Sequence, residues 1–232
     1  WFFLLSFGDS LKKNLKLKGI PGSYSESCAK KMYPDCETIS CKTFDECFEK
    51  SSENSEIKAI IPESNKTTGN IGVEYLIFKY RLNIYEEHFF PIKHNLLGIK
   101  GSKINEIKNV YSHAQALSQS SNFIRKYNLN ENVRADTAGS AKYISEDKDK
   151  TKSAIASLLS AEIYNLEVLQ KNIQDDENNV TRFLLMGKDI YQPDFNKGDF
   201  LTSFLFKLKS KPAALYSALS GFALNGVNLT KL

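Results

Sequence analysis

One pattern occurs four times in this chain of 232 residues: a short apolar strand, a turn rich in Ser, Thr and Gly, and then a helix. The four turns are GSYSES (22–27), SNKTTGNIG (64–72), YSHAQ (111–115) and ADTAGSA (135–141). Alternating strands and helices are typical of α/β layers. In open α/β sheets such turns gather at the carboxyl ends of the strands, where free N–H groups at helix N-termini attract anions. The alternative for any single turn is a plain helix cap. Four together predict a two-lobed α/β chain whose cleft binds a small ligand with carboxylates or phosphates.

Apolar periodicity and capping residues give the individual elements. Strands are predicted over 14–18, 37–41, 57–62 (ended by Pro62), 107–111, 133–135 and 181–187, the last returning the chain to the first lobe. Helices are predicted to follow Ser23 or Ser25, Thr43, Gly72, Ser112 and Asp136, and one more over 152–166. Ser112 and Gln115 have the S-x-x-Q form of a capping box. The long extended segment 82–99 is predicted to cross between the lobes.

Composition excludes several classes of function. The net charge of +4, from 31 basic and 27 acidic residues, is too mild for a nucleic-acid binder. The opening WFFLL has too few consecutive apolar residues for a membrane span or a signal-peptide core. Neither nucleic acid nor membrane is therefore an expected partner.

The cysteines and the glycosylation sequons bear on the compartment. Cys28, Cys36, Cys41 and Cys47 lack the paired C-x2-C spacing of zinc sites, so we expect no metal and reduced, partly buried thiols in a cytoplasmic protein. Asn-x-Thr sequons occur at Asn65, Asn179 and Asn228. Because two of them lie in segments expected to line the cleft, a secretory route fits poorly.

Six stretches resemble, in the same order, the motifs of the prephenate dehydratase family. They are GIPGSYSE, IPESNKTTGN, PIKHNLLG, VYSHAQALSQ, DTAGSAKYISE and SAEIYNLEVLQKNIQDDENNVTRFLLMG, of which the last is the most specific. The segment TSFLFKLKSKPAALYSALSGFALNGVNLTKL resembles the first half of an ACT domain. The resemblance covers about residues 14–232.

The resemblance implies a fold and a domain plan. Residues 14–188 are expected to form a catalytic domain of the two-lobed kind found in type 2 periplasmic binding proteins. Lobe 1 comprises about 14–91 and 172–188, and lobe 2 about 92–171. Residues 199–232 are expected to form part of a βαββαβ ferredoxin-like ACT regulatory domain, with a strand over 200–209, a helix over 213–224 and the start of a strand over 227–232.

The resemblance also implies an activity. The family converts prephenate to phenylpyruvate with loss of water and carbon dioxide, without metal or cofactor. Thr181 stands at the threonine of the family's T-R-F motif, where its hydroxyl would donate a hydrogen bond to the leaving hydroxyl group. The expected substrate-binding residues are Ser23, Tyr24, Ser25, Asn65, Thr67, His113, Gln115, Thr137, Ala138, Asn178, Asn179, Arg182 and Phe183. His94 is expected to be structural and His88 exposed.

Two questions stay open at the level of sequence. Strand alternation turns Arg182 away from Thr181 and towards Asp175 or Asp176, whereas an Arg182 that faced the cleft would bind the pyruvyl carboxylate. The second question is whether the chain has full activity. The family's P-I-E-N-S loop reads Pro-Glu-Ser-Asn-Lys over 62–66, so that Ser64 stands at the family's Glu and Lys66 at the family's Ser. Alternatives to a prephenate dehydratase are an arogenate dehydratase and a non-catalytic two-lobed protein that binds small anions.

The ACT resemblance predicts regulation. L-Phenylalanine is the expected effector, near Ala213, Ala214 and Leu215, with Ala213 at a position where the family commonly has Gly. A complete ACT domain would form homodimers or homotetramers. Because only half of the domain is expected within 232 residues, the chain as given is predicted to bind phenylalanine weakly.

Overall fold

The computed structural model describes residues 14–190, 202 and 206–229. The chain forms two compact units, Trp1–Gly198 and Asp199–Leu232. No helix within the described ranges is long and apolar enough to cross a membrane.

The first unit contains two sheets, and the first of these defines lobe 1. Its strands are β1 (Asn14–Lys18), β2 (Glu37–Cys41), β3 (Ile57–Asn65), β4 (Gly69–Asn70), β5 (Asn83–Pro91) and β11 (Val180–Gly187). Their order is β2-β1-β3-β11-β5, with β4 paired to β3. Strand β1 pairs in parallel with β2 and β3, whereas β11 is antiparallel to β3 and β5. The helices of this lobe are α1 (Tyr24–Met32), α2 (Phe44–Glu53) and α3 (Glu74–Tyr80).

The two faces of β11 pack against different helices. Phe183 and Leu185 lie in one core cluster with Cys28 and Ala29 of α1. Leu184 and Met186 lie in another, with Cys47 and Phe48 of α2. Since successive strand side chains point to opposite faces, Thr181 shares the face of Phe183, and Arg182 lies on the other face.

The second sheet defines lobe 2. Its strands are β6 (Asn95–Gly98), β7 (Asn109–Ser112), β8 (Asn130–Val133), β9 (Lys152–Ala156) and β10 (Glu167–Gln170), in the order β10-β6-β9-β7-β8. Strand β7 is parallel to β8 and β9, whereas β6 is antiparallel to β9 and β10. The helices are α4 (Ala114–Ser118), α5 (Ser121–Lys126), α6 (Thr137–Asp147) and α7 (Leu158–Ile163). Each lobe thus has its own hydrophobic core.

The predicted crossing segment 82–99 is confirmed, as β5 in one sheet and β6 in the other. The chain returns from lobe 2 to lobe 1 through a second segment that contains Ile173. This segment lies beside the first one, since the Ile173 N–H donates to the His94 carbonyl over 2.8 Å. The Gln174 side chain also accepts from the His94 N–H over 3.0 Å. Two adjacent chain segments therefore join the lobes.

Three element predictions are wrong in detail. Residues 152–166 form strand β9 and helix α7 rather than one helix, because Ser157 caps α7 by accepting from the Ser160 N–H over 3.0 Å. Strand β3 does not end at Pro62 but runs to Asn65. The pairing with β11 shifts register there, since Arg182 faces Ser64 and Phe183 faces Pro62. A bulge tolerates proline because a ladder hydrogen bond is already missing.

The third concerns the cap of α4. His113, not Ser112, is the N-cap: its Nδ1 accepts from the Gln115 N–H over 3.3 Å. The Ser112 hydroxyl instead donates to the Ile155 carbonyl over 2.7 Å inside lobe 2. The other predicted caps, Ser23, Thr43 and Asp136, are confirmed.

The four cysteines are free and buried. Their thiols pack into the two cores of lobe 1, which explains their concentration within one short stretch. In the described part of the chain no group of three or more His, Cys, Asp or Glu side chains could hold a metal ion.

The second unit has one helix among its described residues, α8 (Ala214–Leu224), in the predicted place. The N-cap Ala213 has φ 60, the left-handed region that favours glycine. Residues 206–209 and 227–229 are not in strands. The rest of the strands predicted around this helix, over 200–205 and 230–232, lies outside the described residues apart from Thr202.

Candidate active site

The site is built around the hydroxyl of Thr181, at the start of β11. Thr181 is only 6% exposed and lies directly opposite Asn65, the last residue of β3. The Asn65 Nδ2 donates to the Thr181 Oγ1 over 2.8 Å. Within the described residues this is the only hydrogen bond of the Thr181 side chain. Because the amide nitrogen can only donate, the hydroxyl hydrogen of Thr181 remains free to point at a ligand.

One backbone group fixes the orientation of the Asn65 amide. The Thr67 N–H, which can only donate, lies 3.0 Å from the Asn65 Oδ1. The amide oxygen must therefore face Thr67, and the nitrogen must face Thr181 and Asn179. The second Nδ2 hydrogen goes to the Asn179 Oδ1 over 2.8 Å. Both the oxygen and the nitrogen of the Asn65 amide are therefore hydrogen-bonded to protein groups.

Gln119, one residue past α4, joins this cluster from lobe 2. Its Nε2 donates to the Thr67 Oγ1 over 2.5 Å, and its Oε1 accepts from the Asn179 Nδ2 over 3.0 Å. The same oxygen lies 2.9 Å from the Nε2 of His94. We call Asn65, Thr67, Gln119, Asn179 and His94 the amide cluster.

His94 lies between the lobes and is 2% exposed. Since the Gln119 oxygen can only accept, the His94 Nε2 carries the hydrogen, and its Nδ1 accepts from the Tyr24 hydroxyl over 2.7 Å. Burial lowers the pKa of His94, against a smaller upward effect of the Gln119 hydrogen bond. Burial raises the pKa of Tyr24, which keeps its hydroxyl protonated and able to donate.

A second contact joins the lobes at Gly22, and we call it the Gly22 contact. The hydroxyls of Ser157 and Ser160 donate to the Gly22 carbonyl over 2.6 and 2.8 Å. The Tyr164 hydroxyl donates to the Pro21 carbonyl over 2.7 Å. A Cβ on Gly22 would lie 2.5 Å from the Ser160 Oγ, so only glycine permits this close approach.

Arg182 lies on the opposite face from Thr181 and forms a different pair from the one expected. Its Nε donates to Glu87 over 2.7 Å and its Nη1 donates to Glu63 over 3.1 Å. The proposed pairing with Asp175 or Asp176 is wrong. Asp175 instead accepts from the Ser121 hydroxyl and the Asn122 N–H at the start of α5.

The remaining expected site residues fall into three groups. Gln115 lies across the lobe junction, where its Nε2 donates to the Thr68 Oγ1 over 2.6 Å. Others shape the local backbone: Ser23 and His113 cap helices, and the Asn178 N–H donates to the Asp176 carboxylate over 2.8 Å. Buried packing positions are Ser25, Ala138 and Phe183, whose ring contacts Phe90.

The turn before α6 stands apart from the amide cluster. Thr137 is the first residue of α6, and an open pocket of about 260 Å³ lies there, lined by Val133, Arg134, Ala135, Asp136 and Gly139. Among the described residues, no hydrogen bond joins this turn to Thr181 or Gln119. Of the four polar turns, three therefore contribute to the lobe junction around Thr181.

Gln119 and His94 were missed as site residues. Gln119 lies four residues after Gln115 and so on the same side of the helical turn, a spacing that the sequence displays. His94 lies in the crossing segment and was interpreted as structural. His88 was expected to be exposed, but its side chain is only 12% exposed and lies 2.9 Å from the Glu86 carboxylate.

The fold and this site define a class: a two-lobed α/β chain of the type 2 periplasmic-binding-protein kind, with an oriented hydroxyl at the lobe junction. Residues 16–190 match the family model for prephenate dehydratase. The chain belongs to the prephenate dehydratase family, and the resemblance drawn from its motifs is confirmed.

Two curated plant proteins are similar over nearly the whole chain. Arogenate dehydratase 2 of Petunia hybrida is 43% identical over 216 residues, which are 93% of this chain and 55% of that protein. Arogenate dehydratase/prephenate dehydratase 1, chloroplastic, of Arabidopsis thaliana is 40% identical over 98% of this chain and 58% of that protein. The chain therefore spans little more than half the length of these relatives.

Three solved structures share the fold. A structure described as GqqA, a novel type of quorum quenching acylase, has a TM-score of 0.79 at 29% identity and covers 94% of this chain and 79% of its own. The prephenate dehydratase of Staphylococcus aureus has a TM-score of 0.74 at 25% identity, covering 94% and 81%. The prephenate dehydratase of Arthrobacter aurescens, in complex with L-Phe, has 0.79 at 24% identity, covering 94% and 74%.

Proposed function

We propose that the protein containing this chain converts prephenate to phenylpyruvate, with Thr181 as the hydrogen-bond donor to the leaving hydroxyl group. The observation that carries the proposal is the Asn65–Thr181 hydrogen bond of 2.8 Å. It uses the hydroxyl oxygen as an acceptor and leaves its hydrogen for the ligand. Membership of the prephenate dehydratase family supports the same assignment.

The chemistry needs such a donor. The bond from the ring to its carboxylate breaks, its electron pair enters the ring, and the bond to the para hydroxyl breaks as the ring becomes aromatic. Carbon dioxide and hydroxide leave, and the hydroxide is released to solvent, where an acid of the buffer protonates it. A hydroxyl such as that of Thr181 is far too weak an acid to ionise, but its hydrogen bond strengthens as charge builds on the departing oxygen. Such a donor typically contributes about 2.7–4 kcal/mol to lowering the barrier.

Arg182 has a structural role in this proposal. Its guanidinium carries two carboxylate partners, one from β3 and one from β5, on the face away from Thr181. It therefore fixes the three strands that present Thr181. Arg182 is thereby kept from pairing with the ring carboxylate, and a tight pair of that kind would oppose its loss by stabilising the ground state.

Arogenate is the second candidate substrate, since a relative 43% identical is named arogenate dehydratase. Arogenate carries an amino group where prephenate has a keto oxygen. Parallel assays with the two substrates, measuring phenylpyruvate and phenylalanine by chromatography, distinguish them. We expect phenylpyruvate from prephenate. A much larger kcat/KM for arogenate would replace prephenate as the substrate, and binding without product from either would indicate a non-catalytic protein.

The altered loop at 62–66 does not favour the non-catalytic alternative. The loop keeps Pro62 and Asn65 in common with the family motif, and Asn65 is the residue that holds Thr181. Of the changed positions, Ser64 donates to Glu63 over 2.5 Å, and Lys66 is exposed. Their side chains are not hydrogen-bond partners of Thr181, so the donor is preserved.

We further propose the domain plan and the regulation that the ACT resemblance implies. Residues 14–188 would be the catalytic domain, and 199–232 would belong to an ACT domain that binds L-phenylalanine near Ala213, Ala214 and Leu215 in a homodimer or homotetramer. The L-Phe complex of the Arthrobacter aurescens relative supports this effector. Calorimetry with L-phenylalanine on the full protein tests it, and an absence of binding would remove the proposal.

The four free, buried thiols fit a reducing compartment. We propose the cytoplasm, as expected from the sequence, or the equally reducing interior of a chloroplast, since a relative is named chloroplastic. Cell fractionation would decide between the two.

A further inference from the structure

We infer that Gln119 is a positioning residue that links the closure of the two lobes to the direction of the Thr181 hydroxyl. This inference rests on the proposed function, because it concerns how the same site reaches its reactive geometry. Gln119 follows α4 in lobe 2, whereas Asn65, Thr67 and Thr181 belong to lobe 1. No other side chain among the described residues hydrogen-bonds to both a lobe-1 strand end and His94.

The four hydrogen-bonding positions of the Gln119 amide are occupied by protein. A glutamine amide has two donor hydrogens and two acceptor lone pairs. The nitrogen donates to the Thr67 Oγ1 over 2.5 Å and approaches the Asn65 Oδ1 at 3.5 Å. The oxygen accepts from His94 over 2.9 Å and from Asn179 over 3.0 Å. A substrate could bind Gln119 only by displacing one of these groups, so its contribution to catalysis passes through its neighbours.

The directions of the hydrogen bonds show which neighbours matter. The Thr67 hydroxyl, which accepts from Gln119, donates in turn to the Asn65 Oδ1 over 2.6 Å. The Asn65 Nδ2 then donates to both Thr181 and Asn179. Removing the Gln119 amide leaves Thr67 without its donor and Asn179 without its acceptor, so two side chains that hold the Asn65 amide become free to rotate. The Thr67 N–H still directs the Asn65 oxygen, but the nitrogen that holds the Thr181 hydroxyl is fixed less firmly.

Lobe closure is what brings Gln119 into place. His94 lies where the two crossing segments are adjacent. Its ring hydrogen-bonds to Tyr24 of lobe 1 through Nδ1 and to Gln119 of lobe 2 through Nε2. When the lobes separate, the Gln119 contacts with Thr67 and Asn179 break together. The donor at Thr181 is therefore fully oriented only in the closed arrangement, which confines the reaction to a site from which bulk water is excluded.

The test is a double-mutant cycle between Gln119→Met and Thr181→Ala. Methionine keeps the length of glutamine and removes every hydrogen bond. If Gln119 acts through Thr181, Gln119→Met lowers kcat by about tenfold or more with little change in KM, but has almost no further effect once Thr181 is alanine. A purely structural role would lower kcat by the same factor in both backgrounds, and that result would overturn the inference.

Two comparisons keep the outcome clear. Tyr164→Phe removes a hydrogen bond across the lobes, to the Pro21 carbonyl, that does not lead to Thr181, so it should raise KM and leave the cycle with Thr181→Ala additive. Thr67→Val, at an exposed residue, replaces Gln119→Met if that variant unfolds, and should show the same dependence on Thr181. A wild type inactive on both prephenate and arogenate would reject the proposed function itself, whereas an active wild type with an additive cycle rejects only the role of Gln119.

Discussion

At the scale of single residues, the hydroxyl of Thr181 is the group on which the proposed reaction depends. Thr181→Ala should reduce kcat about a hundredfold or more, with KM nearly unchanged, because the lost hydrogen bond forms fully only in the transition state. Thr181→Ser keeps the hydroxyl and should retain part of the rate. Steady-state kinetics of both variants provide the measurement. A Thr181→Ala variant with most of its turnover would show that the hydroxyl is not the donor.

The buried His94 gives a pH dependence of stability. Because its pKa is lowered in the folded protein, the unfolded chain takes up a proton that the folded chain does not. Stability should therefore be lost as the pH falls below the ordinary histidine value of 6.5 towards the lower folded-state pKa. Only Tyr24 among the groups that hydrogen-bond to its ring is titratable, and it stays neutral throughout.

Urea unfolding at several pH values measures this loss. Between pH 6.5 and the folded-state pKa, the wild type should lose up to about 1.4 kcal/mol per pH unit more than His94→Gln does. The comparison with His94→Gln subtracts the effects of the carboxylates, which both proteins share. Equal slopes in the two proteins would mean that His94 takes up its proton normally in the folded state.

At the scale of elements, the sequence predicted correctly those helix starts that a nearby capping side chain determines. Thr43 and Asp136 each accept from an N–H three residues later, and the helices that they cap lie where they were predicted. The wrong element predictions concern segments whose structure depends on pairing with residues distant in sequence. Strand β9 is a strand because β6 and β7 flank it on both sides, and local periodicity could not distinguish that buried run from a helix.

The turn at Gly22 affects stability in two ways, through its backbone conformation and through its close contact with the other lobe. Gly22 has φ +90, and a Cβ there would also lie 2.9 Å from the Ser160 Cα. Gly72 has φ +81 but nothing within 4 Å of such a Cβ. Both Gly→Ala variants should lose about 1–2 kcal/mol through backbone strain. Gly22→Ala should lose about 1–3 kcal/mol more, because the new methyl group overpacks the lobe contact.

Thermal or denaturant unfolding of the two alanine variants tests this difference. Gly72→Ala is the control, since it has the same kind of backbone strain without the collision. Equal destabilisation would indicate that the lobes yield freely at Gly22, and that this contact does not hold them together.

At the scale of the whole molecule, the site belongs to neither lobe alone, and this limits what sequence could reveal. Thr181, Asn65 and Asn179 were found because they lie in recognisable motifs on one lobe. The side chains around Asn65 are completed by Gln119 from the other lobe, 54 positions away in sequence, which hydrogen-bonds to Thr67 and Asn179. Strand alternation was one of two alternatives left open for Arg182, and its observed partners, Glu63 and Glu87, come from two neighbouring strands.

The two junctions between the lobes should have separable effects on the reaction. The amide cluster orients the Thr181 donor, whereas the Gly22 contact, which shares no residue with it, only holds the lobes closed. Ser160→Ala with Tyr164→Phe removes two hydrogen bonds across the lobes and keeps the Ser157 cap of α7. At about 1 kcal/mol each, their loss shifts the balance towards the open form by up to about thirtyfold.

The double variant should therefore raise KM by up to about thirtyfold while kcat stays close to wild type, because bound substrate restores closure and the Thr181 donor is intact. Small-angle scattering without substrate should show a larger radius of gyration. Ser153→Ala is the matched control, since it removes a hydrogen bond from a buried serine to the Asn109 carbonyl within lobe 2 alone. It should change neither KM nor the radius of gyration. If the double variant lowered kcat instead, closure at Gly22 and orientation at Thr181 would be a single event, because loosening one junction would then disorder the other.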